Sequence, residues 1–336
     1  MRRAYLAVVV VMALLAFSLL TMSPLAPPPS SATTPAPTSA AVSQTQSSAQ
    51  AAACGGSVIG YVAPTLVRVV KDAAREAGLS VEGIQSVGSL EGLRRIQQGS
   101  VPDVYASVDI ELAADVKDAR QIYSLGRFKL ALACARPIAS VSDLRGAKTA
   151  LADPNKAPIG YRELAVAYML KKGGVADLTA RYEALGIRFV DTAVGFNVTV
   201  PTALFSTAEV KVAPSLDGSW SMFETGQVDC VFAYLPFILG KGVELKPAGA
   251  SAELWEVYVG DYGRGQFYVY VFKPPYDFFQ DPPLAIYVNF VDPSGRVVRA
   301  VRVGRFEAFV ASFTERGDCV VEALKKMDLA KYGFVK

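Results

Sequence analysis

From residue 57 onward the apolar positions switch repeatedly between a strand-like and a helix-like period. "SVIGYVA" is a short continuous apolar run and reads as a buried strand. The stretch from Pro64 to about Ala77 then follows the 3.6-residue repeat of an amphipathic helix. "SVEGIQSVG" predicts a second strand, "LEGLRRIQQG" a short helix and "DVYASVD" a third strand. Units of this length in alternation predict a mostly parallel sheet with helices on both faces.

"RFKLALACAR" reads as one long strand passing from one lobe to another, after which "AKTALADP", "YRELAVAYMLKKGG", "ADLTARYEALG" and "IRFVD" restart the βα rhythm. "SWSMFETGQVDCVFAYLPFILGKG" predicts helix, turn, strand and helix. The C-terminal quarter changes character. "QFYVYVF" and "LAIYVNFVDPSGRVVRAVRVG" predict antiparallel strands, the second a hairpin turning at "DPSG". "FEAFVASF" and "CVVEALKKM" read as a closing pair of amphipathic helices. The resulting expectation is a two-lobed α/β chain, with residues 57–130 and 246–336 in lobe 1 and 131–245 in lobe 2. The lobes would be joined by crossing strands near 130–136 and 246–251.

The first 56 residues differ from all of this. "RR" followed by an uncharged apolar run over residues 4–20 predicts a signal peptide or an N-terminal membrane anchor over 1–24. The Ser/Thr/Pro/Ala-rich segment 25–56 cannot bury enough surface to offset its ordering entropy and predicts a disordered linker. Together they predict a domain tethered at the outer surface of a membrane. "AAACGG" resembles a lipoprotein box around Cys54, but it lies some thirty residues beyond the apolar run.

Composition narrows the chemistry. Two of the 34 basic residues are Arg2 and Arg3, so the remainder nearly balances the 31 acidic ones, which is not the footprint of a nucleic-acid binder. The chain has no histidine, which removes His-containing zinc sites, Ser-His-Asp triads and Cys-His nucleophiles. No G-x-S-x-G, S-x-x-K, G-x-G-x-x-G or Walker A pattern is present. No enzyme and no cofactor is expected. Cys54, Cys134, Cys230 and Cys319 allow three full pairings outside the cell, and Cys230 in "VDCVFAY" reads as a free buried thiol.

Four junctions join a strand to a helix through small or polar residues: "YVAPTL" with Thr65, "SVGSLEGL" with Gly88 and Ser89, "DPNKAPIGYR", and "FAYLPF" with Tyr234. An N-cap hydroxyl is worth roughly 1 kcal/mol of helix stability without any ligand. Four junctions at the carboxyl ends of strands in an open α/β sheet point instead to a crevice for an anion. Asp153 reads as an Asx-turn residue, Arg162 as half of an ion pair within its lobe, and Asp109 as the N-cap of the next helix.

These residues resemble the substrate-binding proteins of molybdate and tungstate ABC transporters, particularly the archaeal type. The resemblance rests on "DPNKAPIGYREL", "YVAPTL", "VGSLEGLRRIQQGSVPDVYASVD" and "VAPSLDGSWSMFETGQVDCVFAY", spans about residues 57–245 and is weaker beyond. It implies a type II periplasmic-binding-protein-like fold, each lobe a mixed, mostly parallel sheet flanked by helices. It also implies an extracytoplasmic, monomeric receptor delivering its anion to an ABC permease. Carried over by position, Thr65, Gly88, Ser89 and Tyr234 would contact the oxyanion, with backbone donation near Ala157 to Ile159 and at Leu216. Archaeal members have an Asp where this chain has Ala157 and a Glu where it has Leu216. The resemblance with those two departures implies a tetrahedral anion held by hydrogen bonds alone, with no side-chain coordination of metal. Sulfate or phosphate receptors, and a degenerate sensor domain, are the competing expectations. "NVT" at Asn197 is a glycosylation sequon of open status.

Overall fold

The computed structural model describes residues 54–336 except 264, with the side chains of Ala250 and Ser251 left aside. The expected signal or anchor segment and nearly all of the expected linker lie outside the described residues. No helix among the described residues is long and apolar enough to cross a membrane.

The first lobe is built from β1 (Gly60–Val62), α1 (Val67–Glu76), β2 (Ile84–Ser86), α2 (Ser89–Gln97), β3 (Val104–Ser107) and β4 (Gln121–Arg127). The chain then crosses to β5 (Leu130–Cys134), β6 (Thr149–Ala152), α3 (Pro158–Lys172), α4 (Thr179–Glu183), β7 (Arg188–Thr192) and β8 (Gly195–Pro201). It continues through β9 (Val210–Ala213), α5 (Leu216–Glu224), β10 (Cys230–Tyr234), α6 (Leu235–Gly240), β11 (Lys246–Ser251), β12 (Trp255–Asp261) and β13 (Gln266–Phe272). The hairpin β14 (Ala285–Val291) and β15 (Val297–Arg302) precedes β16 (Glu307–Ser312) and α7 (Glu315–Lys326).

Three sheets result, in the orders β2-β1-β3-β16-β4, β11-β12-β13-β5-β10-β6-β9 and β15-β14-β8-β7. The first forms lobe 1 and the other two form lobe 2. Both lobes mix parallel and antiparallel pairs: β1 runs parallel to β2 and β3, while β16 runs antiparallel to β3 and β4.

Three expectations need correction. The segment 246–302 does not return to lobe 1: β13 pairs with β5 and β14 pairs in parallel with β8, so it extends both sheets of lobe 2. "FEAFVASF" is not helical; β16 is a central strand of lobe 1, flanked by β3 and β4, and its residues Ala308 to Ser312 are all buried. "RFKLALACAR" divides between β4 and β5, so the lobes are joined by residues 128–129 and by 303–306. These two connections run side by side. The Phe128 amide donates to the Phe306 carbonyl at 3.3 Å, and the two rings stand 5.3 Å apart.

The cysteines also depart from the free-thiol reading. Cys134 and Cys230 face each other directly on β5 and β10 and form a disulfide, and Cys54 is bonded to Cys319 on α7. The second bond takes the sulfur that lipidation of Cys54 would need. The "DPSG" turn is present as expected, with the Gly295 amide donating to Asp292 at 2.8 Å.

Helix α3 is the centre of lobe 2. Every residue from Pro158 to Leu170 is buried. A helix covered on all sides has little room for charge, yet α3 carries Arg162 and Glu163, each 1% exposed. Glu163 accepts the Tyr182 hydroxyl at 2.8 Å. Burial pushes its carboxyl up to about 8, against the smaller opposing effects of Tyr182 and Arg181.

A carboxyl whose native pKa is raised binds its proton more tightly when folded. Its stabilising contribution is therefore complete below its unfolded pKa and declines as pH rises toward 8. We expect Glu163→Gln to flatten the fall in stability between about pH 5 and 8, a slope of up to about 1.4 kcal/mol per pH unit for one group. Urea unfolding across that range measures it, and a variant with the wild-type slope contradicts the assignment.

Candidate functional site

A cleft of about 730 Å³ lies between the lobes. Its lining includes all seven residues singled out from the sequence: Thr65, Gly88, Ser89, Ala157, Ile159, Leu216 and Tyr234. They come from five separate segments, so the strand-to-helix junctions of both lobes meet in one place.

Lobe 1 contributes Thr65 from the single 3-10 turn before α1, and Ser89 from the first turn of α2. Thr65 Oγ1 makes no hydrogen bond among the described residues. Ser89 Oγ accepts the Val108 amide at 3.3 Å, which leaves its own proton available. Gly88 lies where the lobes approach each other: a Cβ there would sit 2.9 Å from the Lys156 carbonyl of lobe 2.

Lobe 2 contributes the mouth of α3. Asp153 Oδ1 accepts the Asn155 amide at 3.0 Å, the Asx turn expected from "DPN". Gly160 is required by contact: a Cβ would fall 1.9 Å from the Ala152 carbonyl, so only glycine lets the helix start press onto the end of β6. The Ile159 and Leu216 amides lie in first helical turns, where no intrahelical acceptor exists. Ala157 differs from expectation. Its methyl lines the cleft, but its amide already donates to Asp153 at 2.9 Å.

Tyr234 ends β10 at the floor of the cleft and is 1% exposed. Its hydroxyl accepts Arg162 Nη1 at 3.2 Å, so its proton is left to point elsewhere. Burial raises its pKa, Arg162 opposes and Asp109 adds to the rise, so the phenol stays protonated and remains a donor.

The group holding Tyr234 was misassigned from sequence. Arg162 does not pair within its own lobe. Its Nη2 forms a buried ion pair with Asp109 Oδ1, and Asp109 follows β3 of lobe 1. Asp109 precedes a 3-10 turn but does not cap it with its side chain; its other oxygen accepts the Tyr161 hydroxyl at 2.6 Å. Arg162 also lies 4.4 Å from the Phe306 ring, on one of the two connections between the lobes. Burial alone would pull the arginine's pKa down, but Asp109 and the two tyrosines raise it, and it stays charged.

Charged residues also line the cleft: Arg94, Arg95, Lys156 and Arg299, with Glu91 and Asp115. Arg94 and Arg95 both hold Glu91, and Lys156 holds Asp153 at 3.0 Å. Sequence reading missed these cations. Arg299 was detectable only from the hairpin register, which pairs it with Phe290 on the buried face of β14. Among the described residues no cluster of three or more Cys, Asp or Glu is arranged to hold a metal ion.

No family model matches the chain, and no curated protein matches it. Solved structures do. The periplasmic molybdate-binding protein of Azotobacter vinelandii aligns with 14% identity over 83% of this chain and 99% of its own, at a TM-score of 0.50. A substrate-binding domain of a putative molybdenum ABC transporter from Clostridium difficile gives 10% identity, 84% and 100% coverage, and a TM-score of 0.41. The sulfate-binding protein of Mycobacterium tuberculosis gives 13% identity, 83% and 86% coverage, and a TM-score of 0.47. The alignment with the Azotobacter vinelandii protein, together with the two α/β lobes and the cleft between them, shows the type II periplasmic-binding-protein-like fold.

Removing one partner of a buried ion pair leaves a charge without compensation and costs about 3–5 kcal/mol. We expect Asp109→Ala and Arg162→Met each to destabilise the fold on that scale, and the double variant by clearly less than the sum. Urea denaturation of the four chains tests this. Additive losses would show that the pair is not coupled across the lobes.

Proposed function

We propose that this protein is an extracytoplasmic solute receptor that captures a tetrahedral oxyanion, molybdate or tungstate, between its lobes and hands it to an ABC permease. The observation that carries the reading is the convergence of three neutral hydroxyl donors, Thr65, Ser89 and Tyr234, with the first-turn amides of Ile159 and Leu216 on one cleft. Neutral donors aimed inward suit an anion whose charge is spread over several oxygens.

The carboxylates of the cleft lining are Glu91, held by Arg94 and Arg95, and Asp115, and none stands at positions 157 and 216. Ala157 and Leu216 present a methyl and an isobutyl group, so nothing there adds an oxygen ligand to a metal centre. The anion would remain four-coordinate. Hydrogen bonds to a charged partner contribute about 1.5–3 kcal/mol each. Five or six give roughly 8–18 kcal/mol gross, against about 12 kcal/mol for nanomolar binding. Ordering and closure take part of that gain. The fold it shares with the Azotobacter vinelandii molybdate-binding protein agrees with the reading. Delivery to a permease would place the two lobes outside the membrane, where both disulfides persist.

Binding to the native state must raise the melting temperature. In a thermal-shift panel we expect stabilisation by tungstate and molybdate to exceed that by sulfate and phosphate. Ser89→Ala and Tyr234→Phe should each weaken the preferred anion by about tenfold or more, since each removes one donor to a charged group. A preference for sulfate or phosphate over both metal oxyanions rejects the molybdate reading. No shift with any anion rejects the receptor.

A further inference from the structure

We propose that Arg299 sets the charge preference of the cleft, supplying the positive charge that favours a doubly charged tetrahedral oxyanion over a singly charged one. This rests on the reading of the cleft as an oxyanion site.

Four cations line the cleft, and three are already committed to carboxylates: Arg94 and Arg95 to Glu91, and Lys156 to Asp153. Arg299 forms no ion pair and no hydrogen bond among the described residues. Its guanidinium lies 4.9 Å from the centre of the Phe290 ring. Phe290 in turn meets the Tyr161 ring edge-on at 6.4 Å, and Tyr161 belongs to the first turn of α3 that walls the cleft. The uncommitted charge, half-buried, thus lines the same cleft as the proposed anion donors.

Its placement on β15 is unusual for a merely solvated arginine. β15 is an edge strand, and its register sets Arg299 on the face shared with Val301, opposite Phe290 and Val288 of β14, both of which are buried. An inward charge on an edge strand also discourages unwanted strand pairing. That role would protect against aggregation without any effect on ligand charge. The two roles separate in binding measurements. Attraction from a fixed charge scales with the charge of the guest, so losing it falls about twice as hard on a doubly charged anion as on a singly charged one, whereas a loss of edge protection has no such dependence. A partly exposed charge is also screened by salt.

The test uses the full chain, calorimetry and stopped-flow binding, and two tetrahedral anions of similar size, tungstate with two charges and perrhenate with one. Arg299→Met keeps a stem over Phe290 and removes the charge; Arg299→Lys keeps the charge. Arg299→Met should lose about tenfold in tungstate affinity at low salt, mostly in association rate, and markedly less for perrhenate. The difference should shrink near 0.5 M salt, where the screening length falls to a few ångströms. Arg299→Lys should stay within about threefold of wild type for tungstate, because it keeps the charge. Equal losses for both anions, or no loss with tungstate, overturn the inference and leave the receptor reading standing. A wild-type chain that binds neither anion overturns both.

Discussion

The buried ion pair between Arg162 and Asp109 is the constraint on which the site depends. It joins α3 of one lobe to the end of β3 of the other, with both side chains almost wholly out of water. Such a pair adds little net stability, because desolvation cancels much of the attraction. What it fixes is relative position. Arg162 reaches Asp109, Tyr234 and the Phe306 ring together, and Asp109 also anchors Tyr161, so one charged cluster ties the start of α3, the floor of the cleft and one interlobe connection. Lobe movement that preserved this cluster would pivot about it, with residues 128–129 and 303–306 as the hinge.

Held in this way, the floor of the cleft carries no net charge. The positive charge of Arg162 is matched by Asp109, so Tyr234 presents a neutral hydroxyl. Gly160 lets the mouth of α3 lie against β6, and Gly88 lets lobe 1 come within contact of Lys156. Further contacts link the lobes away from the cleft, including Ser86 to Asp217 at 2.9 Å and Arg68 to the Leu239 carbonyl at 2.7 Å. Among the described residues the lobes thus touch both at the cleft and beside it.

Much of this was legible in the chain. The βα alternation from residue 57 to about 250, the "DPSG" hairpin and the junction residues Thr65, Gly88, Ser89 and Tyr234 rest on local signals of periodicity, turn chemistry and helix starts, while Ala157, Ile159 and Leu216 came from the family resemblance. The failures share a different cause. "FEAFVASF" has a helical spacing of aromatics, but β16 is central in its sheet and buried at all but its first residue, which erases the alternation that marks a half-exposed strand. The lobe assignment of 246–302 failed because β14 joins β8, about ninety residues earlier, and no local pattern encodes that pairing. Arg162 and Asp109 are more than fifty residues apart, and each had an ordinary local explanation that hid the contact. The disulfides were hidden for the same reason, since Cys134 and Cys230 meet only once β5 and β10 are adjacent.

In the proposed receptor, donors from both lobes converge on one tetrahedral guest in front of the Arg162–Asp109 pair. Crystals of the protein grown with tungstate, with data collected at the tungsten absorption edge, address it most directly. A single strong anomalous peak between the lobes is expected, its four oxygens within hydrogen-bonding distance of the Thr65, Ser89 and Tyr234 hydroxyls. A peak elsewhere on the surface, or a tungsten centre with carboxylate oxygens completing a six-fold shell, would contradict it.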